Sequence, residues 1–267
     1  MITQHLKQLV LAFAMLPLLV QPASAHTVWF DYKDGEYELF FGHPESGPET
    51  LEVSKFQSAT AYDRNKQVVP VEINKQDGIT VNPQGNIAAL TAFYDNGYWL
   101  QKSPDDSENI TQQQAEAIGY KDVTHNLKYA KAVFNWSEPI SQPFGLPLEI
   151  MPQENPFEVK AGETLPITVL YQGNQIQDAL VEYLGKEVDV NEQGIASIPI
   201  GEGGLQVIEA SYDNPMSMNP VDSYATTFTA EPVPEPSALL GLGAFGLIAF
   251  IGKTRLKRSK GESERSA

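Results

Sequence analysis

In residues 36–41, Glu-Tyr-Glu-Leu-Phe-Phe, acidic and apolar side chains alternate at period two, as a half-buried β-strand requires. Short β-rich runs recur at 27–32, 53–62, 68–73, 87–94 and 127–136, separated by Gly, Pro, Asn and Asp. Only residues 111–118, TQQQAEAI, predict a helix, because Thr111 can cap a run of good helix formers. That helix follows a polar stretch, 103–109, which reads as a solvated loop.

A second series begins after Pro143-Phe144-Gly145-Leu146-Pro147, with strands expected at 157–159, 164–171, 180–183, 188–190, 195–199, 204–212 and 224–228. Pro139, Pro143 and Pro147 break any single strand there, so a domain boundary falls near 140–148. A chain of 267 residues is comfortable for two domains. The expected fold is therefore all-β: two tandem immunoglobulin-like or transthyretin-like β-sandwich domains, 26–143 and 144–230, with one short helical excursion.

The two ends are a different kind of sequence. Residues 1–25 carry Lys7, an apolar run over 9–20, Pro22 and then Ala23-Ser24-Ala25, the small-residue pattern of a cleaved secretory signal. Cleavage after Ala25 makes His26 the first residue of the mature chain. Residues 231–267 contain Pro234-Glu235-Pro236, an apolar stretch at 238–252, and then Lys253, Arg255, Lys257, Arg258 and Lys260. Fifteen helical residues reach only about 22 Å, short of the roughly 30 Å hydrocarbon core, so this short hydrophobic helix fits a bilayer only by thinning it or by snorkelling its flanking cations. The basic cluster is expected on the cytoplasmic side, which places 26–236 outside. This tripartite tail resembles the PEP-CTERM sorting signal, and the resemblance implies an exosortase-type processing partner and membrane attachment through the helix, at least before processing. The expected location is exported, periplasmic or at the cell surface.

Net charge is −16 over the chain, and the segment 26–230, with 11 basic and 30 acidic groups, carries −19. No basic stripe exists to neutralise phosphates, which argues against a nucleic-acid partner. The chain has no cysteine, which removes disulfides, thiolate-bound zinc, iron–sulfur clusters and a cysteine nucleophile together. No GxSxG, HExxH, Walker A or GxGxxG motif is present, so the chain is not expected to be an enzyme.

Metal ligation must then fall to His, carboxylate or Met. Beyond the signal only His26, His43 and His125 remain, and these are the candidate metal ligands. A histidine at a free N-terminus offers its α-amine and its imidazole to one ion. His43 stands in the turn Gly42-His43-Pro44-Glu45, and His125 precedes the run at 127–136. Imidazole donors suit Ni(II), Co(II), Cu(II) or Zn(II), with Cu(II) favoured on affinity alone. Met216 and Met218 could offer thioethers to Cu(I), but loop methionines are more often packing. Asp105-Asp106-Ser107-Glu108 lacks the Gly and the distant Glu of an EF-hand loop.

Several segments resemble the bacterial family known as the nickel uptake substrate-specific transmembrane region, also filed as a domain of unknown function. They are AHTVWF, FFGHPESG, VSKFQSATAYDRNKQVVPVEI, YDNGYWLQK, LKYAKAVF and, above all, FGLPLEIMPQENPFEVKAGETLPITVLYQGNQIQDALVEY, together covering roughly residues 25–212. The resemblance implies an exported β-sandwich protein associated with nickel or cobalt uptake systems, with His26 and His43 aligned with metal contacts and His125 aligned less securely; taken with the N-terminal position of His26, the leading expectation is an accessory that captures Ni(II) or Co(II) at His26, His43 and His125 and passes it towards a transporter. Two other readings stay open: a structural or adhesive surface module delivered by its sorting tail, and a copper enzyme with a histidine brace.

Overall fold

The computed structural model describes residues 26–232 apart from Asp34, Asp105 and Met218. Ala23, Ala25, Pro234, Glu235, Pro236 and the stretch 238–252 lie outside the described residues.

In the first half the strands are β1 (Thr27–Lys33), β2 (Glu36–His43), β3 (Gly47–Pro48), β4 (Phe56–Tyr62), β5 (Val68–Val69), β6 (Val71–Asn74), β7 (Ile79–Pro83), β8 (Ala89–Ser103), β9 (Asp106–Ile110) and β10 (Val123–Val133). The second half adds β11 (Leu148–Pro152), β12 (Thr164–Tyr171), β13 (Asn174–Ile176), β14 (Leu180–Tyr183), β15 (Lys186–Glu187), β16 (Ile195–Pro199), β17 (Ile208–Asp213) and β18 (Val221–Ala230). The one α-helix among the described residues, α1 (Gln112–Ala117), starts where the sequence predicts. Thr111 and Gln114 form a reciprocal capping box that satisfies two N–H groups at its start.

The expected all-β class is observed, but its arrangement differs from two sandwiches placed end to end. Three sheets stack. One runs β1-β2-β7-β6 with β3 beside β2, and another runs β11-β12-β13 with β16 also on β12. Between them lies the order β15-β14-β17-β18-β10-β8-β4-β5, with β9 beside β8. This middle sheet draws strands from both sides of the expected boundary at 143, joined by the parallel pairing of β10 with β18.

The physical reason is the alternation along β10. Ala130, Ala132 and Phe134 join the core formed with Val28, Phe30, Leu39 and Val81, whereas Tyr129 and Val133 join the core formed with Leu148, Ile150, Ile167 and Phe228. A strand that is apolar on both faces needs a sheet over each. The same alternation buries two lysines in opposite layers. Lys128 faces the backbone of His26, and Lys131 faces Glu149, both only 3% exposed.

Local expectations need several corrections, among them the strand expected at 188–190, which falls instead at β15, Lys186–Glu187. Residues 157–159 form no strand; the chain turns at 156–158 instead, with Phe157 N–H donating to the Asn155 side chain. Part of the polar stretch expected to be a solvated loop is β9, paired with β8 and tied by a 2.6 Å ion pair from Lys102 to Glu108. Residues 53–55 form a turn of 3-10 helix ahead of β4. Among the described residues, no helix is long and apolar enough to cross a membrane.

Candidate functional site

β1 and β2 pair antiparallel with Thr27 opposite Gly42 and Val28 opposite Phe41. One step beyond this ladder, His26 meets His43. Their ring centroids lie 4.4 Å apart, tilted at 45°. The His26 ring also stacks on Phe41 at 5.2 Å and 13°, so an aromatic floor fixes its orientation.

The chain then turns back on itself. Ser46 N–H donates to the carbonyl of His43, β3 pairs with the end of β2, and Glu49 N–H donates to Phe41 O at 2.7 Å. The turn delivers the Glu49 carboxylate to His26, with Nε2 to Oε2 at 3.0 Å. Gly42 makes this return possible. Its φ is +133°, and a Cβ there would stand 3.0 Å from Glu49 N.

One donor atom from each of His26, His43 and Glu49 can be chosen so that all lie within 4.8 Å of one another. Donors around one ion at 2.0–2.2 Å are separated by roughly 3–4.4 Å, so small side-chain rotations close the set. The two imidazoles are half-buried and Glu49 is exposed, which keeps one side of the cluster open to solvent. His43 Nδ1 is buried without a hydrogen-bond partner, and the nearest carboxylate, Glu45, stands 4.0 Å away. Two borderline nitrogens and a hard oxygen form a donor set for a divalent transition metal.

Buried charge supports the site from beneath. Lys128 donates its Nζ proton to the backbone carbonyl of His26. Burial pulls this amine down to about 8, Lys55 pushes the same way, and Glu209 opposes them. Thr27 Oγ1 donates to Glu209 at 2.9 Å, tying β1 to β17. Burial raises the Glu209 carboxyl to about 7, against the Thr27 hydrogen bond, while Glu45 and Glu182 add to the shift.

His125 is placed differently. It stands on β10, opposite Tyr98 of β8, on whose ring it stacks at 4.4 Å and 10°. Asp95 lies 2.9 Å from its Nε2, and Asp222 of β18 lies 3.6 Å from its Nδ1. Burial disfavours the imidazolium, but the hydrogen bond and charge of Asp95, with Asp222 adding to them, outweigh it and raise the His125 pKa. Both ring nitrogens are thus engaged by carboxylates, and His125 is not part of the three-residue cluster.

Of the three expected ligands, the structure brings His26 and His43 together and adds Glu49. Glu49 carries no signal of its own in an acidic chain. The only hint is the turn chemistry of Pro44, Gly47 and Pro48, which implies that the chain doubles back beside β2.

A protein of Haemophilus influenzae described only as uncharacterized is 26% identical over 189 residues, covering 68% of this chain and 78% of its own length. A family model matches residues 23–214, a span holding His26, His43, Glu49 and every strand from β1 to β17. The chain belongs to the family described as a domain of unknown function, DUF4198.

Proposed function

We propose that this protein is an exported metal-binding accessory that captures Ni(II) or Co(II) for an uptake system, holding the ion at His26, His43 and Glu49. The observation that carries the reading is the convergence of two imidazoles and a carboxylate, with donor atoms within 4.8 Å, on a platform secured by Lys128 and Glu209. The likeness of several segments to a nickel uptake family supports the choice of metal, and Cu(II) and Zn(II) suit the same donors. If a signal peptide is removed after Ala25, the α-amine of His26 adds a further nitrogen beside its ring. The work of such a site is ligand exchange with a transporter rather than bond chemistry.

Calorimetric titration with Ni(II), Co(II), Cu(II) and Zn(II) tests this. Removing one of three protein ligands lowers affinity by at least about tenfold, on the scale at which even outer-shell partners cost 10–100-fold. His26→Ala, His43→Ala and Glu49→Ala each show that loss, and His125→Ala does not. Unchanged affinity in His26→Ala and His43→Ala refutes the site.

A further inference from the structure

The unpaired Nδ1 of His43 stands out in a molecule that satisfies nearly all its buried side-chain polar atoms. Among the described residues, Thr226 Oγ1 is the one other buried side-chain atom without a hydrogen-bond partner. Leaving a buried donor or acceptor unpaired costs about 1–3 kcal/mol, so such an atom calls for a cause. The His43 side chain as a whole keeps 21% of its surface exposed, yet Nδ1 contributes almost none of it. The open part of the ring is therefore the rest, which carries Nε2. An ion arriving from solvent meets Nε2, and Nδ1 is left facing the protein.

Glu45 Oε1 stands 4.0 Å from that Nδ1, roughly 1 Å beyond hydrogen-bond range. The backbone holds the two side by side. Ser46 N–H donates to the His43 carbonyl at 3.0 Å, so His43 and Glu45 are the first and third residues of one β-turn, and Pro44 between them restricts its backbone. Glu45 also lines a cavity of about 60 Å³ together with Glu209, which leaves its carboxylate free space and sets a like charge opposite it. We infer that Glu45 is the positioning residue of His43: with an ion on Nε2, Nδ1–H donates to the Glu45 carboxylate. A ligating imidazole gains in two ways from a carboxylate on its other nitrogen, which fixes the tautomer and ring orientation and makes the ligating nitrogen more basic. Free of metal, the pair stays 4.0 Å apart and Nδ1 stays unpaired.

The inference rests on the metal-binding reading above, and the test separates the two. Zn(II) is the probe, because it suits the same donors and its filled d shell leaves NMR spectra unbroadened. The purified full chain is titrated with Zn(II) by calorimetry, and long-range proton–nitrogen NMR of the loaded chain reads which nitrogen of His43 carries the proton. The expected result is the proton on Nδ1 and the metal on Nε2. Glu45→Ala lowers Zn(II) affinity by about tenfold, the lower end of the range for outer-shell partners. Glu45→Gln keeps an oxygen that accepts from Nδ1 and stays within about threefold of wild type, since a charge-assisted hydrogen bond is roughly twice as strong as a neutral one. Glu38→Gln removes the same charge from the other face of β2 and stays within about twofold, which separates the hydrogen bond from general attraction of the cation. A metal found on Nδ1, a Glu45→Ala chain that binds like wild type, or a Glu45→Gln chain as weak as Glu45→Ala overturns the inference and leaves the metal site standing. If the wild-type chain does not bind Zn(II), both fall.

Discussion

Replacing Glu149 tests the structure most severely. Its carboxylate is 1% exposed and accepts four groups at once: Lys131 Nζ at 2.8 Å and the backbone N–H groups of Phe144, Gly145 and Leu146 at 2.9 to 3.3 Å. Glu149→Leu leaves the Lys131 ammonium buried without a carboxylate, held only by Met151 Sδ at 3.4 Å and by the faces of Phe144 and Phe228 at 5.5 and 5.4 Å. Breaking a buried pair from one side costs about 3–5 kcal/mol. Each N–H left unsatisfied adds about 1 kcal/mol where water cannot reach it. A loss of about 5–8 kcal/mol, the upper end with all three N–H groups left dry, lowers the melting temperature by about 10–30 °C for a domain of this size. Lys131→Met is milder, about 2 kcal/mol, because Glu149 keeps its three backbone donors when the ammonium leaves. Urea denaturation followed by tryptophan fluorescence measures both. A loss below about 1 kcal/mol for Glu149→Leu, or a larger loss for Lys131→Met, refutes the assignment of this carboxylate as the hub of the junction.

The His125 pair makes stability depend on pH. Its folded pKa is raised above the ordinary 6.5, so the contribution is full below pH 6.5 and is lost as pH rises through the folded value. The urea midpoint of His125→Gln should therefore fall furthest behind wild type below pH 6.5, with the gap narrowing on the alkaline side; a gap independent of pH contradicts this. For Glu209, raised to about 7, stability is present below the ordinary 4.5 and lost as pH rises through about 7. Glu209→Gln should thus gain on wild type between pH 5 and pH 8, and a loss relative to wild type over that interval refutes the sign. Gly42→Ala forces a Cβ to 3.0 Å from Glu49 N at a φ of +133°, a strain of about 1–3 kcal/mol. Unfolding should report that loss, and metal titration should report a weakened site, since the turn that carries Glu49 must shift. Unchanged metal affinity would separate Gly42 from the site.

What the sequence makes legible is local. The alternation at 36–41 yields β2, and the Thr111 cap yields α1, because period and capping are decided within a few residues. The middle sheet is not local, since β10 meets β18 in a parallel register, Thr124 beside Val221, that no hairpin dictates. Lys128 and Lys131 hide its two-sided burial, because a lysine in a strand ordinarily marks a solvated face. Within the candidate site, His26 and His43 can be found as rare potential ligands in a cysteine-free chain, but their apposition depends on the β1–β2 register and Glu49 on a turn. The most distinctive segment, FGLPLE, turns out to surround Glu149 and serves the junction of the halves rather than the His26–His43–Glu49 cluster.

The place of β18 in the middle sheet has a consequence for how the molecule is made. A ribosome delivers residues 221–230 after every other strand among the described residues, yet they sit between β17 and β10 and not at an edge. Until they arrive, the two halves offer open edges that can mispair, and contacts so distant in sequence form slowly. The Thr227 hydroxyl also donates to Val28 O at 2.7 Å, so this late strand clasps the strand that follows His26. A chain cut short before residue 221 loses a keystone rather than a fringe, and the end of β1 beside His26 is secured only once residues 221–230 have been made.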